Sequence, residues 1–138
     1  MSKAKSKLSV EDFFTKPQGD AGQWLEITMP GDVEKSFELL VTDLGTYKFK
    51  SEMVKMNREE VARGEISDEQ FDTPDEIERR HLAECKLLSA LVIDWRGIDT
   101  EFTQDCIYNL LVNAPYVHDA VNRFAADKKN FTKKASKD

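Results

Sequence analysis

Four residues of the types that bind zinc are distributed over the second half of the chain. His81 and Cys85 are four residues apart and so share one face of a predicted helix, while Cys106 and His118 fall in the next two predicted helices. Together they would supply the ligands of a Cys2His2 zinc site. The sequence lacks the closely paired cysteines and histidines typical of such sites. The alternative interpretation is therefore small buried thiols and a histidine at the polar edge of the core.

The sequence contains no pattern typical of an enzyme active site. It has no glycine-rich phosphate loop, no nucleophile elbow around a serine or cysteine, and no lysine in a Walker-type motif. Its many carboxylates fall at predicted helix starts or in connecting segments, where capping and solvation explain them. We therefore predict a protein that acts by binding, without catalysis and without a cofactor.

Two methionines and an aromatic residue are spaced to share one face of a predicted helix over residues 46–63. Phe49, Met53 and Met56 would form an adaptable, polarisable surface of the kind that grasps partner proteins. The alternative is that these three side chains pack against a neighbouring β-hairpin. If they do not, this face is the predicted docking place for a partner helix.

A cluster of lysines on the same helix raises the question of nucleic-acid binding. Lys48, Lys50 and Lys55 lie close to Tyr47 in the sequence, but Glu52 lies among them. This mixture favours a salt-bridged helix surface over a nucleic-acid face. The net charge of −6 points the same way, so nucleic acid is not predicted as a partner.

The longest apolar run, residues 77–94, is predicted to form a core helix. Thr73 is a suitable N-cap, Pro74 suits the first helical position, and Gly97 supplies the stop. Because residues 82–95 are apolar on nearly every side, this helix is expected to be buried. It is too short and too charged at its start to span a bilayer, so no membrane association is predicted.

The rest of the chain is predicted to add a hairpin and further helices. Residues 24–29 and 37–41 alternate between apolar and polar side chains, which is typical of two strands paired through a longish loop. The helix over residues 46–63 has a second apolar side, formed by Tyr47, Val54 and Val61. Shorter helical segments are predicted over residues 67–71, 104–113 and 116–129. The predicted fold class is α+β, mostly α, with a small N-terminal β-hairpin followed by about four helices.

A chain of 138 residues is expected to form one domain. We predict a disordered arm over residues 1–8, a single domain over 9–131 and a flexible basic tail over 132–138. A capped turn is predicted near Ser9, with Phe13 and Phe14 pinning this segment onto the body, and residues 17–22 would form a loop.

Charge is unevenly distributed along the chain. Of the 26 acidic residues, 25 lie between residues 8 and 127, whereas eight of the 20 basic residues lie near the two ends. Those eight are Lys3, Lys5, Lys7, Lys128, Lys129, Lys133, Lys134 and Lys137. The pattern favours solvated ends, with contact to an acidic partner as the alternative. Two cysteines and no apolar leader predict a reducing, cytosolic setting.

The second half of the chain resembles the tail assembly chaperones of long, flexible-tailed bacteriophages of the lambda-like siphovirus type. The resemblance covers roughly residues 80–131 and consists of a helix ending in Asp-Trp, a glycine-containing turn, a short helix, a proline, and a last helix closing with Asn-Phe. The residues that carry it are Leu88, Leu91, Asp94, Trp95, Gly97, Pro115, Phe124 and Phe131.

This resemblance implies a non-enzymatic role in viral tail morphogenesis. Such late proteins act in the host cell cytoplasm, bind the long tape measure protein, keep it soluble while the tail tube polymerises around it, and are absent from the mature virion. They also self-associate into rings or spirals. The implied partners are therefore the tape measure protein, further copies of the chain and the tail tube protein.

The same resemblance implies a longer form made by programmed ribosomal frameshifting near the end of the gene. Adjacent lysine codons suit such a signal, and the sequence offers Lys128-Lys129 and Lys133-Lys134. The alternative is a plain charged tail.

Overall fold

The computed structural model describes residues 7–132, which form a small antiparallel sheet and a larger set of helices. The strands are β1 (Gln23–Met29), β2 (Asp32–Val41) and β3 (Val92–Arg96), and they lie in the order β1-β2-β3. The α-helices are α1 (Lys16–Ala21), α2 (Tyr47–Arg63), α3 (Asp68–Phe71), α4 (Pro74–Ser89), α5 (Gln104–Asn113) and α6 (Pro115–Ala126). Two 3-10 helices cover Val10–Phe13 and Lys128–Phe131. This arrangement confirms the predicted fold class.

Threonine caps fix where three of the helices begin. Thr46, Thr73 and Thr103 precede α2, α4 and α5, and each hydroxyl accepts a hydrogen bond from the backbone N–H three residues later. Such a bond satisfies one of the free donors at a helix start. The predicted starts of these helices are confirmed. Within residues 7–132, no helix is both long and apolar enough to cross a membrane.

The predicted core helix over residues 77–94 is too long. Helix α4 ends at Ser89, and residues 92–96 form β3, a third strand that pairs with β2. The turn between them is held by Thr42, whose N–H and hydroxyl both donate to the carbonyl oxygen of Leu91, at 2.7 and 3.0 Å. A short apolar run suits a buried helix or a buried strand equally well, and here the open edge of β2 selects the strand.

The hairpin between β1 and β2 is tighter than predicted. Strand β2 begins at Asp32, so the loop shrinks to a turn at Pro30 and Gly31. Gly31 has a φ of +82°, a conformation that glycine adopts without strain. The pairing contains an irregularity between Thr28 and Met29. Because the first half of β2 is mostly polar, the alternation of apolar and polar residues did not indicate that the strand begins at Asp32.

The predicted loop over residues 17–22 is instead helix α1. Its proline lies at the helix start, where a missing N–H does no harm. Gly19 is buried because α1 lies against the segment after β2: its carbonyl accepts the Asp43 N–H at 3.0 Å. A Cβ atom on Gly19 would lie 2.7 Å from the Cβ of Asp43. The glycine thus allows close packing rather than a loop.

The N-terminal turn forms as predicted, but it is not anchored to the body of the protein. Ser9 caps the 3-10 helix over Val10–Phe13 in a capping box with Asp12. Phe13 is 68% exposed and Phe14 is also exposed, so the prediction that they pin this segment to the body is wrong.

The core lies between one face of the sheet and helices α4, α5 and α6. Helix α5 packs on α4 and α6, and α6 packs against β1 and β2. The largest fully buried side chains are Leu39, Val41, Leu91, Val92, Ile107, Leu111, Val117, Val121 and Phe131. Burial of this apolar surface is the main favourable term in folding.

The segment Asp94–Gly97 of the family pattern covers the end of β3 and the turn after it, so the expected helix ending in Asp-Trp is wrong. Trp95 donates from its indole N–H to the carbonyl oxygen of Thr100 at 2.8 Å and packs edge-on against Phe102. The Asp94 carboxylate accepts the Trp95 N–H at 2.8 Å. Gly97 has a φ of +87°, and a Cβ there would lie 3.3 Å from the Cα of Phe37. These residues shape a turn.

The last family-pattern residues close the core at the C-terminal end. Pro115 begins α6, and Phe124 on that helix meets Phe131 edge-to-face with ring centroids 5.8 Å apart. The Asn130 side-chain amide donates to the carbonyl oxygen of Phe124 at 2.9 Å. Phe131 is fully buried, which confirms that it anchors the end of the chain. Lys133-Lys134 and most of the predicted arm and tail lie outside the described residues.

We predict that Phe131→Ala lowers the free energy of unfolding by about 3–5 kcal/mol, because it leaves a cavity where a buried ring packs on Phe124. Phe13→Ala is the matched control: it removes an exposed ring and is expected to change stability by no more than about 0.5 kcal/mol. Urea unfolding followed by circular dichroism measures both. Equal effects of the two substitutions would contradict the assigned packing.

Candidate partner-binding surface

The four candidate zinc ligands lie on adjacent helices without forming a metal cluster. The Cys85 sulfur lies 3.7 Å from Nε2 of His81, and the rings of His81 and His118 have centroids 6.1 Å apart. Burial raises the pKa of the Cys85 thiol, and Glu84 and Glu78 add to this, so the thiolate form that binds metals is disfavoured. Among residues 7–132, no group of three or more His, Cys, Asp or Glu side chains is placed to hold a metal ion.

The predicted methionine face of α2 is divided between the core and a groove. Phe49 is buried in the core, Met56 is half-buried on the side facing α4, and Met53 is exposed. Met56 borders a small depression together with Ala83 and Leu87 of α4. Helix α2 packs chiefly on α4 rather than on the hairpin.

A larger groove lies between the end of α2, helix α3 and the first turns of α4. It has a volume of about 470 Å³, and its apolar wall contains Met56, Ile66, Phe71 and Ala83. Arg80 of α4 holds helix α3 beside this groove: its guanidinium lies 3.6 Å from the centroid of the Phe71 ring. The same guanidinium donates to the Phe71 carbonyl oxygen at 2.9 Å.

An ionic network around the buried carboxylate of Glu76 lines this groove. Although it is a carboxylate, Glu76 is only 5% exposed, and it accepts hydrogen bonds from the guanidinium groups of Arg63 and Arg79. Arg79 also bonds to Glu60 at 2.6 Å, so it links α4 to α2. These bonds, first Arg79 and then Arg63, lower the pKa of Glu76 from its ordinary value of 4.5 to about 2.

The opposite side of α2 carries an apolar row that faces solvent. Tyr47, Val54 and Val61 are 85%, 49% and 82% exposed, respectively. They are spaced seven residues apart and so lie nearly in line along the helix. We call these three residues the outer stripe. The sequence pattern marked this row only as a second apolar side; the structure leaves it in solvent because α4 covers the side that contains Phe49 and Met56.

Two basic side chains fill the gaps in the outer stripe. Lys50 lies three residues after Tyr47 and four before Val54, while Arg58 lies four after Val54 and three before Val61. Residues at these spacings are neighbours on a helix surface. The sequence reveals the spacing, but only the position of α4 shows that this side is exposed.

We predict that Glu76→Gln destabilises the fold at neutral pH, and that the difference from the natural chain shrinks as the pH falls from about 4.5 toward 2. The sign follows from the lowered pKa: the carboxylate stabilises the fold above its unfolded pKa, and this contribution is lost as protonation approaches the folded value. Urea unfolding across this pH range measures the effect. Glu59→Gln, which removes an exposed carboxylate of α2, is the control. A difference independent of pH would contradict the assignment.

Comparison of this chain with protein-family models, with curated proteins and with solved structures found no match in any of the three.

Proposed function

We propose that this protein is a tail assembly chaperone of a long-tailed bacteriophage. It binds the tape measure protein, keeps this elongated partner soluble while the tail tube polymerises around it, and is then released. Support comes from the sequence pattern over roughly residues 80–131 that resembles that family, although Asp94 and Trp95 lie in strand β3 and not at a helix end. The structural observation that carries the proposal is the outer stripe, which runs from Tyr47 to Val61, about 21 Å along the helix. Exposed apolar side chains aligned along one helix suit an elongated helical partner.

The proposed role is binding rather than catalysis. The most perturbed carboxylate, Glu76, is held by two guanidinium groups that join α2 to α4, which is a structural task. The Cys85 thiol is buried and kept in its neutral form. The proposed partners are the tape measure protein, other copies of the chain in a ring or spiral, a frameshift-extended form and the tail tube protein. The proposed location is the host cytoplasm, without retention in the mature virion.

The proposal expects a tape measure gene beside this one, and co-expression of the two products tests it. We expect the tape measure protein to shift from the insoluble to the soluble fraction and to co-purify with the tagged chain. A tagged acidic protein of similar size is the control for a general solubility effect. A tape measure protein that stays insoluble, or is soluble but not retained, would contradict the proposal.

Mass spectrometry of purified virions distinguishes a chaperone from a structural tail component. A chaperone that departs after assembly is expected to be missing from the particles, although it is abundant in the infected cell. Stoichiometric amounts in the virion would instead assign the chain to the finished tail.

The burial of Phe131 allows a choice between the two candidate frameshift positions. A frame change at Lys128-Lys129 would replace Asn130 and Phe131, and so remove a fully buried ring from the core. A change at residues 133–134 would preserve every described contact. We therefore expect an A-rich slippery run in the codons of residues 133–134, and the gene sequence tests this. A slippery run found only at residues 128–129 would contradict the expectation.

A further inference from the structure

We propose that the outer stripe of α2 is a docking surface for an acidic amphipathic helix of the protein that this chain chaperones. This inference rests on the proposed function for the identity of the partner, but the surface itself is defined by exposure and charge.

The shape of the stripe is that of one seam of a helix pair. Tyr47, Val54 and Val61 repeat at seven residues and project away from α4, which occupies the other side of α2. A seven-residue apolar repeat keeps a helix in register with a second helix over several turns. The described part of the chain leaves these three side chains largely uncovered, so a second helix can lie along them.

The charges beside the stripe are basic. Within α2, the positions three or four residues from a stripe member are Lys50, Ser51, Asn57 and Arg58, which include two bases and no acid. The three acids of α2 (Glu52, Glu59 and Glu60) lie at other positions, and two of them are paired: Glu60 bonds to Arg79 of α4.

Glu52 is similarly engaged, since it pairs with Lys55 at 3.5 Å. The stripe is thus an apolar and basic strip on a chain with a net charge of −6. Carboxylates flanking an apolar seam on the partner would complement it.

Two other occupants fit less well. Two copies of this face packed on each other would bring Lys50 and Arg58 against the same residues of the second copy, and like charges would repel. A nucleic acid would use the bases but would leave Val54 and Val61 without apolar contacts. An acidic amphipathic helix satisfies both the apolar and the charged residues.

The probe is a fluorescent three-heptad peptide with leucine at positions a and d and glutamate at e and g. Anisotropy titration of the full chain is expected to show binding that weakens as salt rises from about 0.05 to 0.5 M. The same peptide with lysine in place of glutamate is expected to bind at least about tenfold more weakly. Equal binding of the two peptides, or tighter binding of a single-stranded oligonucleotide, would overturn the inference.

Two variants locate the binding surface. Val61→Asp and the double variant Lys50→Glu/Arg58→Glu are each expected to weaken peptide binding about tenfold or more. The matched controls are Val33→Asp, at a valine 84% exposed on β2, and Arg123→Glu, on the exposed side of α6. Both controls are expected to bind as the natural chain does. Melting temperatures verify folding, since all these side chains lie at the surface.

The possible failures are distinguishable. If Val61→Asp leaves peptide binding intact but changes the sedimentation of the chain, the stripe contacts a second copy and the inference is overturned. If the variants lose the peptide but still retain the tape measure protein, the stripe is not the docking surface for that partner, although the proposed function stands. If the natural chain binds the acidic peptide but not the tape measure protein, the proposed function fails.

Discussion

The position of α2 depends on one buried carboxylate. Glu76, in the first turn of α4, is bonded by Arg63 from the last turn of α2 and by Arg79 from its own helix. A carboxylate removed from water is strongly destabilising unless opposite charges and hydrogen bonds replace its hydration. Moving α2 away would leave Glu76 without Arg63, so the end of α2 is held on α4 and its other side remains in solvent.

The start of α2 is held by different means. Phe49 is buried in the core, and the preceding loop is fixed by Asp43, whose carboxylate accepts the Gly45 N–H at 3.0 Å and pairs with Lys128 at 2.7 Å. Lys128 belongs to the C-terminal 3-10 helix that also contains Phe131. The loop before α2 is therefore joined to the C-terminal 3-10 helix by an ion pair, which helps to fix the start of α2.

The sequence was a good guide where local chemistry decides the structure. Helices α2 and α5 begin at threonine caps and end close to their predicted positions, because a capping hydroxyl and a terminating residue act within one turn. It was a poor guide where distant contacts decide. Residues 92–96 are a strand because β2 offers them an edge, and α1 is a helix partly because Gly19 fits against Asp43.

The candidate binding surface was also only partly predictable from the sequence. Both apolar sides of α2 repeat with helical periodicity, so the pattern alone does not say which side is buried. The choice depends on Glu76, 13 residues beyond Arg63, and on the approach of α4. The sequence therefore identified the helix and both of its apolar sides, but not which of the two faces solvent.

An interrupted stripe is well suited to holding a partner reversibly. A continuous exposed apolar patch would favour aggregation, whereas Lys50 and Arg58 separate the three apolar members and keep the strip hydrated. Each docking event would then contribute a modest apolar contact, while the basic side chains favour a negatively charged partner. A long partner with repeated acidic amphipathic segments would be held firmly by many such contacts, because linked weak sites add by avidity. Each contact would still open readily by itself, which allows displacement as a tube grows along the partner.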